Sequence, residues 1–469
     1  MKVQEKLSDL YEKRNREEYG RAYDFLNWAG EEELAKFAET RNSLLQSISK
    51  FTKPGYSGTK TDIRNLSPGC RICAEGKWSC LFINGKCNAK CFYCPTSQDE
   101  IGVPSTNAFS FPEPGEYLDY IEKVGFKGVS ISGGEPFLTF EKSLEFIAAV
   151  RRKFDSIYIW LYTNGTLVTE DKLKMLHDAG LNEIRFDIGA TGYNLKYLKK
   201  AIGIIPAVTV EIPAIPEDLE KIKVLMKELS DIGVKHLNLH QLRLTPHNIN
   251  KLAYKPYTFL PGEKVTVIES EITALELIHH GLLNNIPLPV NYCSFVYKNR
   301  YQGRAARTQA AGLVKPGYAE ITENGYIRKL FISGNAENLK KQTEKLQERG
   351  VQEEHYYLSE KENRLYLQNQ LINKIKSSHL QHGIAYEKAS LRSYDSPYGT
   401  SKKIELNPGN TIYVEQITIA CETNINPDLW RIFQNVTPDS FTKDTITDNA
   451  FIEKTLPYEL IPYGLQQYG

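Results

Sequence analysis

Cys87-Asn88-Ala89-Lys90-Cys91-Phe92-Tyr93-Cys94 sets three cysteines at C-x3-C-x2-C spacing in one short loop, after the strand-length apolar run Cys80–Ile83. Thiolates at such spacing suit zinc or an iron–sulfur cluster. Three is an odd number of ligands for metals that want four, and ferredoxin-type loops with similar spacing supply the fourth. A cubane [4Fe–4S] cluster on three thiolates keeps one iron open to a small molecule, which suggests catalysis rather than plain electron storage. A structural zinc loop borrowing a distant fourth ligand stays open on spacing alone.

The rest of the chain supplies a frame for that loop. From about residue 80 strand-length apolar runs alternate with amphipathic helix-length segments. The runs are Cys80–Ile83, Gly128–Ser132, Ile157–Thr163, Glu183–Ile188, Ala207–Ile212 and His236–Leu239. The helical segments fall near 113–124, 140–154, 169–179, 193–202, 217–232 and 262–281. Such alternation predicts parallel βαβ units and an α/β fold. No further βα pair is read after Leu282, so a full eight-stranded barrel is not expected. Residues 1 to about 50 read as two or three helices, with Leu7, Leu10, Tyr11, Phe25, Leu26 and Trp28 at helical spacing. Past residue 300 the pattern changes. Tyr318–Ile332 reads as a hairpin turning at Glu323-Asn324-Gly325, residues 335–350 as a charged helix, and Thr411–Ile419 as a strand. The expected organisation is a helical region over 1–69, a core with a cysteine knuckle over 70–300, and an α+β extension over 301–469.

Composition narrows the function classes. A chain of 469 residues buries a sizeable core, and 41% hydrophobic with 25% charged residues is ordinary for a globular protein. A net charge of +1 argues against a nucleic-acid binder driven by bulk electrostatics. No run approaches the eighteen or so apolar residues of a membrane span. The charged stretch Met1–Arg16 lacks an apolar signal region, so a cytoplasmic location is expected. Of eight cysteines, six lie between Cys70 and Cys94, and in a large chain of this kind they read as metal ligands rather than disulfides.

Functional groups of parallel α/β folds collect at the carboxyl ends of the strands. Gly133-Gly134-Glu135-Pro136 closes the run Val129–Ser132. Its glycines let backbone come close to a ligand and its carboxylate can pair with a cation, although a tight βα turn uses the same residues. The cysteine spacing, Tyr93 and this Gly-Gly-Glu motif together resemble the radical S-adenosylmethionine (SAM) superfamily, over roughly residues 80 to 300. The resemblance implies a partial (βα)6 TIM-like barrel. It implies a [4Fe–4S] cluster on Cys87, Cys91 and Cys94 whose open iron chelates SAM. It further implies reductive cleavage of SAM to a 5′-deoxyadenosyl radical that abstracts hydrogen from a substrate. Tyr93 would pack near the adenine, and Gly133, Gly134 and Glu135 would hold the methionine end.

Other strand ends carry polar groups. Thr163-Asn164 could reach ribose hydroxyls or form an ordinary Asn-Gly turn with Gly165. Asp187 resembles the position after the fourth strand that meets SAM in relatives, and Arg185 and Asp187 share one face of a regular strand. Glu211 and His240 sit at equivalent ends, open to ligand contact or to a structural role.

A second set comprises Cys70, Cys73, Cys80 and Cys293. Four thiolates suffice for a mononuclear zinc or iron site or for an auxiliary iron–sulfur cluster, and the mononuclear site is preferred here because short C-x2-C knuckles commonly hold single metals. Cys80 and Cys293 could equally be buried small hydrophobes. Pro68-Gly69-Cys70-Arg71-Ile72-Cys73 upstream, Tyr292-Cys293-Ser294 and Lys298-Asn299-Arg300 downstream resemble a branch described as related to pyruvate formate-lyase activating enzymes. Arg300, Arg304, Arg307 and Lys315 offer an anion site or a solvated linker. The expectation is a radical SAM enzyme with a ferredoxin or flavodoxin as reductant. Its substrate is unknown, a peptide or protein being the first choice and a small molecule the next. The competing reading is a non-catalytic iron–sulfur or zinc protein in electron transfer or interaction.

Overall fold

In a computed structural model, the described residues are 2–106, 109–372, 374–375, 380–407, 409–425 and 450–468. They fall into two compact units, residues 1–302 with 463–469, and residues 303–462.

The first unit is built on a nine-stranded sheet. Seven consecutive neighbours in it are parallel: β1 (Trp78–Asn84), β2 (Gly128–Gly133), β3 (Tyr158–Thr163), β4 (Glu183–Phe186), β5 (Ala207–Pro213), β6 (His236–His240) and β7 (Val290–Cys293). Two short strands, Ser105–Thr106 and Phe109–Ser110, add antiparallel to the β1 edge. Helices Pro114–Val124, Phe140–Lys153, Glu170–Asp178, Leu219–Asp231 and Ile268–Leu283 make five of the crossovers. The expected helix over 193–202 is instead a short turn of 3-10 helix, Ile188–Thr191, and a single α-turn, Lys196–Lys199. Strand β7 corrects the expectation that no βα pair follows Leu282. Its run Val290-Asn291-Tyr292-Cys293 is too short and too polar to stand out by apolar content.

Alternation along the strands explains the layers. Val129, Ile131, Ile159, Leu161, Ile184, Phe186, Val210, Ile212, Leu237 and Leu239 are 0–1% exposed and form the apolar face. On the helices, Ile222, Met226 and Leu229 are buried one helical turn apart, the stripe an amphipathic helix presents to a sheet. The other residues of each strand face oppositely, and beside Trp78, Phe82 and Trp160 this face is polar: Ser130, Tyr162, Glu183, Arg185, Thr209, Glu211, Asn238, His240, Asn291 and Cys293. Paired registers such as Arg185↔Thr209, Glu211↔Asn238 and Cys293↔His240 place them side by side.

Helix Pro68–Ala74 lies against this polar face, capped by the Ser67 hydroxyl, which accepts from the Cys70 amide at 3.2 Å and from the Arg185 guanidinium at 3.1 Å. Residues 463–469 return to this unit. The Arg41 guanidinium donates to the Gln466 carbonyl at 2.5 Å and lies 3.8 Å above the Tyr468 ring, whose hydroxyl donates to Glu271 at 2.6 Å. No helix among the described residues is long and apolar enough to cross a membrane.

The second unit is an antiparallel sheet in the order Tyr356–Ser359, Arg364–Leu367, Ile327–Ser333, Gln381–Arg392, Thr411–Ile425, Thr400–Glu405, with Glu320–Ile321 pairing Ile327–Ser333. The expected hairpin is present, turning at Gly325 with φ 79°. Helix Ala336–Glu348 covers a core of Leu330, Ile332, Leu339, Leu365, Ile384 and Tyr386. Arg304 and Arg307 bond the carbonyls of Glu323 and Asn324 and fasten the hairpin turn.

Candidate functional site

The cysteine loop leaves the carboxyl end of β1, and the Gly-Gly-Glu turn that ends β2 grips it. The Gly134 amide donates to the Asn84 carbonyl at 2.9 Å and the Glu135 amide to the Lys86 carbonyl at 2.8 Å. A Cβ on Gly133 would stand 2.1 Å from the Asn84 oxygen, and one on Gly134 would stand 2.0 Å from the Lys86 oxygen. Both glycines are thus demanded by the loop's own backbone.

Glu135 is 1% exposed. Its carboxylate accepts from the Phe137 amide at 3.0 Å, the Thr163 hydroxyl at 2.8 Å and the Asn164 amide at 2.7 Å. Every partner is neutral, and burial pushes this carboxyl above the usual range despite the three donors. A carboxylate accepts about four hydrogen bonds, so one acceptor position remains. Asn164 then ties the turn after β3 to the cysteine loop, donating from Nδ2 to Asn88 at 2.8 Å with Cys87 Sγ 3.8 Å away. Thr163 and Asn164 thus brace Glu135 and the loop.

Tyr93 turns the other way and donates to both oxygens of Asp187, at 3.0 and 2.9 Å. Burial lifts the Asp187 carboxyl to about 6, against the pull of the Tyr93 hydroxyl and of the Ala190 and Gly189 amides. Beside this pair opens a cavity of about 440 Å³ lined by Cys91, Tyr93, Ala190, Tyr193 and Ile215. Burial also pushes the Cys91 thiol up to about 11 and raises that of Cys87.

All eight cysteines are free. No three Cys, His, Asp or Glu side chains among the described residues converge on a single-ion position. A cubane binds each thiolate at a separate iron, so three free thiols spaced around one loop fit it where a mononuclear ion would need convergence.

Glu211 and His240 belong to a charged chain across the polar face. The Arg185 guanidinium donates to Glu183 at 2.9 Å and to Glu211 at 2.8 Å. His240 Nε2 meets the other Glu211 oxygen at 2.5 Å, and the Lys298 ammonium donates to His240 Nδ1 at 2.7 Å. An ammonium at Nδ1 leaves the ring proton on Nε2, so the imidazole is neutral and donates to Glu211. Burial and Lys298 both lower the His240 pKa. Burial would raise Glu211, but Arg185 and His240 hold it well below the ordinary carboxylate range.

Sequence reading missed Glu183 and Lys298 as members of this network, and Lys60, which donates to Asn291, Tyr292 and Cys293 on β7. Glu183 was within reach, since it lies two residues before Arg185 on the same strand face. Lys60 sits in a turn-rich segment with no pattern to mark it.

Of the second cysteine set, Cys70 of helix Pro68–Ala74 lies near Cys293 of β7, the Asn291 amide standing 3.5 Å from both sulfurs, and Cys73 accepts from Gln302 Nε2 at 2.6 Å. Cys80 stands apart on β1, bonded to Ser130 and Ser132. Cys421 is exposed on Thr411–Ile425.

Comparison with known proteins bears on this arrangement. Residues 81–235 match the family model of the radical SAM superfamily. A protein of Methanocaldococcus jannaschii, provisionally named a glycyl-radical enzyme activating enzyme, is 33% identical over 323 residues, which is 66% of this chain and 83% of that protein. GTP 3′,8-cyclase of Staphylococcus aureus is 30% identical over 115 residues, 24% of this chain and 33% of the cyclase. Among solved structures, the FeFe-hydrogenase maturase HydG of Carboxydothermus hydrogenoformans is 13% identical over 62% of this chain and 74% of that one, with a TM-score of 0.34. The chain belongs to the radical SAM superfamily, in the branch related to pyruvate formate-lyase activating enzymes. It is accordingly an enzyme of the SAM and [4Fe–4S] class, and the non-catalytic alternative falls.

Proposed function

We propose that Cys87, Cys91 and Cys94 hold the [4Fe–4S] cluster, and that Glu135 receives the amino group of SAM. The cluster, when bound and reduced, supplies the electron that cleaves SAM to methionine and a 5′-deoxyadenosyl radical, which takes a hydrogen atom from the substrate. Glu135 carries the reading: it is a buried carboxylate with only neutral partners and one acceptor position left. A buried charge calls for an opposite one, and the SAM ammonium is such a cation. Gly133 and Gly134 hold the loop against Glu135, and Thr163 and Asn164 orient it. Asp187 fixes the Tyr93 ring beside the 440 Å³ cavity, which suits an adenine.

The substrate then lies over the polar face, toward Glu211 and His240, within a partial (βα)6-type barrel spanning about residues 70–300. The alternating apolar and polar strand faces support that reading. We take the substrate to be a protein or peptide, a choice the archaeal relative's provisional name supports, and the reductant to be a ferredoxin or flavodoxin. Free cysteines throughout favour a reducing compartment, the cytoplasm. Residues 1–69 and 301–469 flank this core.

The test uses anaerobically reconstituted protein with dithionite and SAM. Formation of 5′-deoxyadenosine is expected. Glu135→Gln should keep the cluster spectrum and weaken SAM binding about 10- to 100-fold, the worth of a hydrogen bond to a charged group. Protein that carries its cluster and yields no 5′-deoxyadenosine overturns the proposal.

A further inference from the structure

Lys60 is 2% exposed. Its ammonium donates to Asn291 Oδ1 at 2.8 Å, to the Tyr292 carbonyl at 2.8 Å and to Cys293 Sγ at 3.0 Å, and lies 3.9 Å above the Tyr297 ring. All three of its protons are placed, yet no carboxylate is among its partners. A charge so buried needs an anion beside it, and Cys293 Sγ is the ionisable atom to which the ammonium donates.

The neighbouring sulfurs are treated alike. Asn291 Nδ2 donates to Asn238 Oδ1 at 3.0 Å and lies 3.5 Å from the sulfurs of both Cys70 and Cys293, and Gln302 Nε2 donates to Cys73 at 2.6 Å. Each of the three sulfurs thus has an N–H donor within reach: Lys60 for Cys293, Gln302 for Cys73 and Asn291 for Cys70. Neutral thiols are weak acceptors, whereas thiolates bound to iron take such bonds, and hydrogen bonds to sulfur tune iron–sulfur clusters.

From this arrangement we infer that Cys70, Cys73 and Cys293 hold a second iron–sulfur cluster of the [4Fe–4S] type, with Lys60 as its buried counter-cation. The same surroundings disfavour a mononuclear zinc or iron site. Cys80 is not in the group, the two ring nitrogens of the nearby His240 are taken by Glu211 and Lys298, and no single-ion position is formed among the described residues. The group repeats the arithmetic of the first loop: three thiolates, one iron left for another donor. Gln302 and Asn291 would hold the sulfurs in place, and helix Pro68–Ala74 would be pinned to β7 through the cluster.

The experiment counts metal and sulfide in the full chain after anaerobic reconstitution. About eight irons and eight sulfides per chain are expected from two cubanes. Cys87→Ala/Cys91→Ala/Cys94→Ala should keep about four irons and a reduced-state electron paramagnetic resonance signal that SAM does not perturb. Cys70→Ala/Cys73→Ala/Cys293→Ala should keep about four irons with a signal that SAM does perturb. Lys60→Gln should move the midpoint potential of the SAM-insensitive signal to a more negative value, since a neighbouring positive charge is lost.

About four irons in the unmodified chain overturns the inference, as does one zinc per chain in place of the added iron. Should the triple variants fail to fold, the Mössbauer spectrum of the unmodified chain decides between one cubane and two. The failure of this inference is separable from that of the SAM reading, because the latter is read from the SAM-perturbed signal and from 5′-deoxyadenosine.

Discussion

At single residues the site is governed by buried charge. Cys91 offers the simplest case: two thiolates remain when it is changed, and the loop contains no spare cysteine. Cys91→Ala should abolish both the SAM-perturbed cluster signal and 5′-deoxyadenosine, and retained product would refute the ligand assignment. Glu211 makes a different prediction, about pH. Its folded pKa lies below the value of about 4.3 that an unfolded glutamate has, so its pairing with Arg185 and His240 stabilises the chain above that pH. That contribution drains away as pH falls below about 4.3 and the native carboxylate must be protonated. Glu211→Gln should lose on the order of 3 kcal/mol at neutral pH, the cost of leaving a buried guanidinium short of a partner, and should show a flatter decline in acid. Urea unfolding of both proteins from about pH 3 to 7 is the measurement, and parallel pH profiles would contradict the argument.

At the scale of elements, legibility in the sequence followed how much each element relies on its own residues. Six strands were visible because one face of each is a run of Val, Ile, Leu or Phe. β7 was not, because three of its four residues, Asn291, Tyr292 and Cys293, serve polar or edge positions and its pairing with β6 comes from the tertiary fold. The helix expected near 193–202 shrank because Tyr193, inside the segment, takes a φ of 69° that no α-helix allows. The site loops were legible as motifs but not as contacts. Spacing marked Cys87, Cys91, Cys94 and Glu135, while the identity of what Gly134 approaches, and the link from Asn164 to Asn88, needed coordinates. The Gly-Gly-Glu turn predicts its own mutant. Gly134→Ala sets a Cβ against the Lys86 carbonyl, so the turn and the cysteine loop must part. We expect a loss of about 1–3 kcal/mol, the usual cost of local backbone strain, together with poor iron retention. A variant with native melting temperature and full iron would show that the loop tolerates displacement.

For the whole molecule, the informative feature is that residues 463–469 close the first unit although 303–462 form another. Arg41 is 7% exposed, pairs with Glu271 at 3.3 Å, and depends on the Gln466 carbonyl and the Tyr468 ring for the rest of its environment. Removing 463–469 should therefore cost on the order of 3 kcal/mol, from two hydrogen bonds to charged groups, and lower the urea midpoint of the first unit's transition. An unchanged midpoint would show that the returning segment is ornamental. The same connectivity bears on biosynthesis. A ribosome makes residues 1–302 long before 463–469, so the unit that holds the cysteine loop waits, unclosed at Arg41 and Glu271, through the synthesis of some 160 intervening residues. Cofactor loading during that interval would meet a looser host than the chain in which 463–468 have docked.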